Sequence, residues 1–318
     1  MPQPVRIALI GAGIFARDAQ LPALETLGEQ FELVAVFSRS ADSAKALVEH
    51  LPHVEIFTNL PALLARPDIE AVDILLPIEI MPSAIELALN AGKHVISEKP
   101  LAPDVATGRR LLDVYAERRE QVWMVAENWR YEEAFKRAGE LIAEGAIGRP
   151  IVFHYPVYTQ MNAENKYFHT GWRRSGEVPG GFLLDGGIHH IAAIRMVLGD
   201  IAQISASVSQ VSPDLPPADT VSAALELTGG YVATYASGAP WETALSVLGE
   251  RGALRVDRSF LEVTDDSGTR REPLEQSHAV RAELADFAAA IRTGSQHRNS
   301  PEEAFADLAT VEAMLQSA

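Results

Sequence analysis

The sequence predicts a two-domain α/β protein: a doubly wound parallel sheet at the N-terminus, then an α+β domain with a large, open, mostly antiparallel sheet. Three observations predict it. Over residues 1–127 short, unbroken apolar runs alternate with helical stretches, which is the pattern of parallel strands covered on both faces. Beyond residue 127 strand-like runs follow one another with turn residues between them, which is the pattern of an antiparallel sheet. The 318 residues, 47% apolar and 22% charged, suffice for about two cores of ordinary size.

In chain order, residues 5–10 are apolar, rich in branched side chains, and run into Gly11, as a buried strand ending in a tight turn does. A helical stretch over 14–28 precedes the apolar run 31–37. Helical 41–50 and 60–65 precede the run 71–76, helical 82–91 precedes 94–96, and a helix over 105–118 leads to the run 122–125. In the second domain a helix over 132–144 ends at Gly145 and Gly148. Strands are expected over 151–158, 204–211, 221–227, 231–236, 244–248 and 253–256, with turns at Gly229-Gly230 and over 265–268. Ser205, Ser207 and Ser209 alternate along one strand, so one sheet face carries small polar side chains that are solvated or meet a partner. The last helix, over 301–315, has Ser300 as its cap and Glu302 and Glu303 in its first turn. The expected domains are therefore 1–127 and 128–299, with a terminal helix in 300–318.

Composition narrows the function classes. With 27 Lys+Arg against 43 Asp+Glu the net charge is −16, and basic residues cluster only in pairs such as Arg109-Arg110 and Arg173-Arg174. Such a surface argues against nucleic-acid and anionic-membrane partners. The absence of cysteine excludes disulfides, zinc–thiolate sites, iron–sulfur clusters and thiol catalysis. The His50-x-x-His53 pair spans Pro52 in a loop, so no metal is expected. The start carries no charged leader before an apolar run, and the apolar stretch 71–81 is interrupted by Asp73, Pro77 and Glu79. The expectation is a soluble, cytoplasmic protein.

Residues 11–16, Gly-Ala-Gly-Ile-Phe-Ala, match G-x-G-x-x-G/A after a strand and at the opening of a helix, which is the Rossmann dinucleotide fingerprint. Gly11 makes the turn, Gly13 admits the pyrophosphate to the backbone, and Ala16 lets helix and strand pack closely. Gly11, Gly13, Ile14 and Phe15 are the candidate cofactor contacts here. An NAD site places Asp or Glu at the end of the second strand to bond the ribose 2′-hydroxyl. Here that end reads Phe37-Ser38-Arg39-Ser40, with no carboxylate before Asp42. A hydroxyl and a guanidinium bind a 2′-phosphate that a carboxylate would repel, so Ser38 and Arg39, with Lys45 nearby, indicate NADP(H).

Glu98-Lys99-Pro100 follows an apolar run at the carboxyl edge of a parallel strand, where ligands of such sheets bind. Asp185 and His189 are four residues apart, a spacing that on a helix places them on one face. By the same geometry His190 points away and is either structural or a support for the residues that form the site.

Taken in order, these motifs resemble the glucose–fructose oxidoreductase / inositol dehydrogenase / rhizopine-catabolism (Gfo/Idh/MocA) family. The resemblance rests on 11–16, on Ala91-Gly92-Lys93-His94 leading to Glu98-Lys99-Pro100, on 181–189, and on Gly249-x-x-Gly252. The stretch 165–173 is similar to that of a subgroup of fungal and bacterial NADP-specific oxidoreductases. The resemblance implies a final helix packed back on the first domain, and a homodimer or higher homo-oligomer formed through the second-domain sheet. It further implies that Lys99 is the catalytic lysine beside the nicotinamide, with Asp185 and His189 completing the set. His189 would exchange the hydroxyl proton, and Asp185 would bind a substrate hydroxyl or tune its neighbours. Glu98, Lys99 and Pro77 would line the nicotinamide site, and Lys99-Pro100 is often a cis bond in this family. The chain departs from the family pattern at Met81, where a histidine is common, and at Ala192, where an aspartate is.

Substrate contacts are expected among Asn128, Trp129, Arg130, Tyr131, Tyr158, Lys166, Tyr167, His169, Trp172 and Arg173, with Tyr131, Trp172 and Arg173 foremost. The leading expectation is hydride transfer between NADP(H) and the carbonyl or alcohol carbon of a sugar, polyol, cyclitol or small aldehyde. Two alternatives stay open. One is a non-catalytic NADP-binding regulator, against which the intact Lys–Asp–His set argues. The other is a reductase of a non-sugar ligand such as a dihydrodiol or bile pigment.

Overall fold

The computed structural model describes residues 3–159, 161–229, 232–237 and 243–317. The chain forms two compact units, Met1–Asn128 with Ala279–Phe305, and Trp129–His278 with Ala306–Ala318.

Six parallel strands build the first unit: β1 (Val5–Ile10), β2 (Phe31–Phe37), β3 (Glu55–Phe57), β4 (Ala71–Ile74), β5 (His94–Glu98) and β6 (Trp123–Ala126). Their order is β3-β2-β1-β4-β5-β6, so the winding reverses between β1 and β4. In doubly wound sheets the ligand crevice lies at that reversal, outside the carboxyl ends of the strands. The strands are predominantly apolar because both faces are covered; Val5, Ile7, Leu9, Val36, Ile96 and Met124 share one core. β3 has three residues at the sheet edge, too few to carry a signal in the sequence.

The expected assignment of 128–299 to the second domain needs correction, because helix Ala279–Thr293 belongs to the first unit. Its Leu284, Phe287 and Ala288 complete that core, and Phe287 stacks on Phe31 with ring centroids 6.5 Å apart. The last helix, Pro301–Gln316, is part of the first unit only as far as Phe305 and of the second from Ala306 onward. Ser300 caps it as expected, accepting a hydrogen bond from the Glu303 N–H at 3.2 Å.

Among its described residues the second unit carries eight strands: β7 (Pro150–Val157), β8 (Ile201–Ser209), β9 (Thr220–Leu227), β10 (Val232–Ser237), β11 (Leu245–Gly249), β12 (Ala253–Val256), β13 (Leu261–Asp265) and β14 (Gly268–Arg271). They lie in the order β14-β13-β12-β11-β7-β10-β9-β8. Every pair is antiparallel except β7 with β10. Gly230 of the expected Gly229-Gly230 turn and Tyr231 of the expected strand lie outside the described residues. Ser205, Ser207 and Ser209 all face outward, as their alternation predicts. Among the described residues the helical window apolar enough to span a bilayer is not 71–81 but Gly181–Leu198, and 72% of it is buried inside the fold.

Candidate active site

At the carboxyl end of β1, Gly11 sits at φ +124°, and a Cβ there would meet the Leu75 carbonyl oxygen at 2.4 Å. Only glycine fits that turn. Its N–H donates to the Phe37 carbonyl at 2.9 Å, tying the turn to the end of β2. Gly13 is exposed and an added Cβ would meet nothing within 4 Å, which leaves bare backbone for a phosphate to approach. Ile14 and Phe15 open the helix half-buried, and Ala16 is fully buried against the core as close packing requires. The following turn, Ala16–Gln20, is a π-helix, a local widening that the apolar periodicity did not reveal.

At the end of β2 the Ser38 hydroxyl accepts from the Ser40 N–H at 3.3 Å, and Ser40 caps the next helix by accepting from Ser43 at 3.3 Å. Arg39 is exposed, and among the described residues its guanidinium has no hydrogen bond or ion pair. Lys45 is exposed in the helix that follows. At the end of β4 the half-buried Pro77 accepts from the N–H groups of Ile80 and Met81, both at 3.1 Å, to start helix Met81–Asn90. Met81 is buried there, packed into the core. Glu98 ends β5, half-buried Lys99 follows, and the Lys99–Pro100 bond is cis. These residues sit at the carboxyl ends of four adjacent strands. They fit a dinucleotide: open backbone at Gly13, a helix start, and polar side chains at the end of β2.

Beneath these loops the first unit buries carboxyl groups that the sequence reading did not assign. Asp73, in β4 between Leu9 of β1 and Ile96 of β5, is fully buried. Burial pushes its carboxyl up to about 7, with the Gln20 carboxamide pulling the other way. Glu283 is pushed well above the carboxylate range, first by burial and then by the charges of Glu98, Glu127 and Asp73. Asn299 Nδ2 donates to Glu283 Oε2 at 2.9 Å and to the Glu127 carbonyl at 3.1 Å. The signal available in the sequence was a lone aspartate inside an otherwise apolar strand.

In the second unit the run 181–189 is two helical pieces, Gly181–Asp185 and Gly187–Leu198, that meet at Gly186. Gly186 keeps right-handed helical angles (φ −88°, ψ −37°), so the path continues through the junction. Gly181 has φ +46°, and a Cβ there would lie 2.6 Å from the Pro216 carbonyl oxygen, which explains the glycine opening of the motif. Asp185 is buried and accepts from Arg173 Nε at 2.6 Å. Arg173 also donates to the Thr170 hydroxyl at 2.8 Å and lies 4.1 Å over the Trp172 ring and 5.3 Å from the Tyr167 ring. The sequence reading held Asp185 and Arg173 apart, one catalytic and one substrate-binding; they are an ion pair. His189 has a different neighbour, the Trp129 indole, stacked at 5.2 Å and 12° between planes. His190 is buried and bonded through Nδ1 to the Tyr155 hydroxyl at 3.0 Å, which is the structural role expected of it.

Two expected substrate contacts lie in the interior. Tyr131 is 9% exposed. Arg130 is buried in an ion pair with Asp307 at 2.6 Å, and Arg195 meets the other oxygen of Asp307 at 2.6 Å. Arg130 is thereby committed to Asp307 of the last helix, and Arg195 ties the same carboxylate to the helix that bears His189. Tyr158, Tyr167 and Trp172 are half-buried and Lys166 and His169 exposed. Among the described residues no three His, Asp or Glu side chains stand where they could hold a metal ion.

Comparison with known proteins covers nearly the whole chain. The Gfo/Idh/MocA "Oxidoreductase family, NAD-binding Rossmann fold" model matches residues 5–126, and the "Oxidoreductase family, C-terminal alpha/beta domain" model of the same family matches 139–318. The chain is 36% identical to a dehydrogenase of Fusarium mangiferae, FPY6, over 99% of this chain and 96% of that one. An oxidoreductase from Thermotoga maritima superposes with a TM-score of 0.93 at 34% identity, covering 99% of this chain and 97% of that one. A 3-ketoreductase from Actinomadura kijaniata, in complex with NADP and TDP-benzene, superposes with a TM-score of 0.87 at 26% identity over 99% and 98% of the two chains.

Proposed function

The chain belongs to the Gfo/Idh/MocA oxidoreductase family, and from that premise we propose that it is an NADP(H)-dependent enzyme acting on the carbonyl or alcohol carbon of a sugar, polyol, cyclitol or small aldehyde. The observation that carries the cofactor choice is the end of β2. An unpaired, exposed Arg39 beside the Ser38 hydroxyl, with no carboxylate at that strand end, suits a 2′-phosphate and not a 2′-hydroxyl. The 3-ketoreductase relative, which is in complex with NADP, is consistent with that choice.

When bound, the nicotinamide supplies or accepts the hydride; the chain supplies position, charge and the proton. Lys99 bears a cation that stabilises negative charge on the substrate oxygen as the carbonyl is reduced. His189 gives that oxygen its proton in reduction and takes it back in oxidation. Asp185 acts through Arg173: its carboxylate fixes the guanidinium, whose remaining N–H groups and aromatic neighbours Trp172 and Tyr167 suit the hydroxyls and ring face of a polyhydroxylated substrate. A homo-oligomer formed through the serine-bearing sheet face belongs to the same reading and is checked by light scattering. The test of the function is turnover of NADPH with a panel of aldehydes and ketoses, and of NADP+ with polyols and aldoses. Turnover in wild type that is abolished in Lys99→Ala is expected. Turnover unchanged in that variant contradicts the role given to Lys99.

A further inference from the structure

We infer that Trp129 is the positioning residue of the His189 imidazole, and that its indole reports the protonation of that ring. The inference rests on the reading of His189 as the proton-transfer group. Trp129, expected among the substrate contacts, occupies the short 3-10 turn Asn128–Tyr131. Its ring is packed from several directions within the second unit. Phe135 lies parallel to it with centroids 5.6 Å apart and 15° between planes. His190 meets it edge-on at 4.7 Å and 84°. The Arg258 guanidinium lies 5.4 Å from its centroid and is anchored by the buried Glu132, with Arg258 Nη2 2.5 Å from Glu132 Oε1. His190 is itself held by Tyr155. An indole fixed in this way presents a rigid plane, and His189 stacks on that plane at 5.2 Å and 12°.

Stacking restricts rotation of the imidazole about its terminal torsion, which is otherwise broad. Both ring nitrogens therefore point along one set of directions in the plane of the stack. A proton can then be passed at a defined angle, and orientation of that kind is a large part of catalytic rate. The indole face also attracts a cation, so the imidazolium and Arg258 share one π system. The charged and titratable groups packed around the stack are Arg258, Glu132, His190 and Tyr155.

Two readouts test the inference on the full-length protein. The first is intrinsic fluorescence against pH, which needs no substrate. An imidazolium against an indole quenches its emission, so wild type should show a pH step in emission that is lost in both Trp129→Phe and His189→Gln. A step that survives in His189→Gln overturns the reporter claim. The second is the pH profile of kcat with a substrate found in the turnover panel. Trp129→Leu, which fills the space without a rigid plane, should lower kcat about 10-fold and displace the profile, leaving KM for NADPH within a few-fold. Trp129→Phe should restore most of the rate. Wild-type kcat and an unmoved profile in Trp129→Leu overturn the positioning role. Full turnover in His189→Gln, with the emission step present in wild type, removes the proton-transfer reading and the positioning role with it, while the stack itself stands.

Discussion

Replacing Asp73 with asparagine should make the protein more stable at neutral pH. Asp73 is fully buried in the central strand of the first unit, where burial raises its carboxyl from the ordinary 3.8 to about 7. The unfolded chain, with the ordinary value, loses its proton first as pH rises, so the folded state then holds the extra proton. Stability is therefore unaffected below pH 4, falls between about pH 4 and 7, and is flat above. The slope in that window is about 1.4 kcal/mol per pH unit, and the full interval of roughly three units amounts to about 4 kcal/mol as an upper bound. Asparagine has nearly the same shape and nothing to ionise, so Asp73→Asn should remove this part of the pH dependence and gain up to that amount at pH 8. Part of the gain is offset by an amide that must find partners, for which the Gln20 carboxamide beside it is available. The assay is urea denaturation of wild type and variant across pH 4.5 to 8.5, followed by far-UV circular dichroism. The difference between the two should grow with pH up to about 7 and then level. A difference that stays constant across the range, or a variant less stable at pH 8, refutes the reasoning. Glu283→Gln removes a second raised carboxyl from the same surroundings and should act in the same direction.

Arg39→Ala should weaken NADPH about 10- to 100-fold, the loss of charge-assisted bonds to a phosphate, and change NADH little; equal losses in parallel fluorescence titrations would mean that Arg39 does not meet a 2′-phosphate. Lys99→Ala should cut kcat by about 10²- to 10³-fold while NADPH affinity stays within a few-fold, as stopped-flow binding and steady-state assays together would reveal. Gly11→Ala should abolish dinucleotide binding, because φ +124° and a contact of 2.4 Å to the Leu75 carbonyl force the turn to rearrange; near-normal NADPH binding by calorimetry would contradict that. Asp307→Ala leaves two buried guanidiniums, Arg130 and Arg195, without their shared carboxylate and should cost roughly 3–5 kcal/mol in chemical denaturation.

What the sequence makes legible depends on how local the cause is. The strands β1, β2, β4, β5 and β6 are predominantly apolar runs because both faces of the sheet are covered, and such runs are visible in isolation. The fingerprint is local in part: the φ of +124° at Gly11 is a property of the turn itself, whereas the Leu75 carbonyl that also excludes a Cβ there lies 64 residues further along the chain. Helix Ala279–Thr293 carries an apolar stripe at helical spacing, Val280, Leu284, Phe287 and Ile291, but the unit it joins is not legible, because its Phe287 finds Phe31 some 250 residues earlier in the chain, a pairing that sequence order hides. The candidate site divides in the same way. The four-residue spacing of Asp185 and His189 is readable, but the Arg173 partner of Asp185 and the Trp129 stacked on His189 come from outside that helical run, where spacing says nothing. A tryptophan beyond the end of a strand carries no periodic signal, so its place against His189 follows only from the packing of Phe135, His190 and Arg258 around it.

The central claim, an oxidoreductase that takes its hydride from or gives it to NADP(H), is tested most directly by titrating the purified protein side by side with NADPH and NADH under identical conditions. The account predicts saturable binding of NADPH at least about 10-fold tighter than that of NADH, with the difference lost in Arg39→Ala. Tighter binding of NADH, or no binding of either nucleotide, would contradict it.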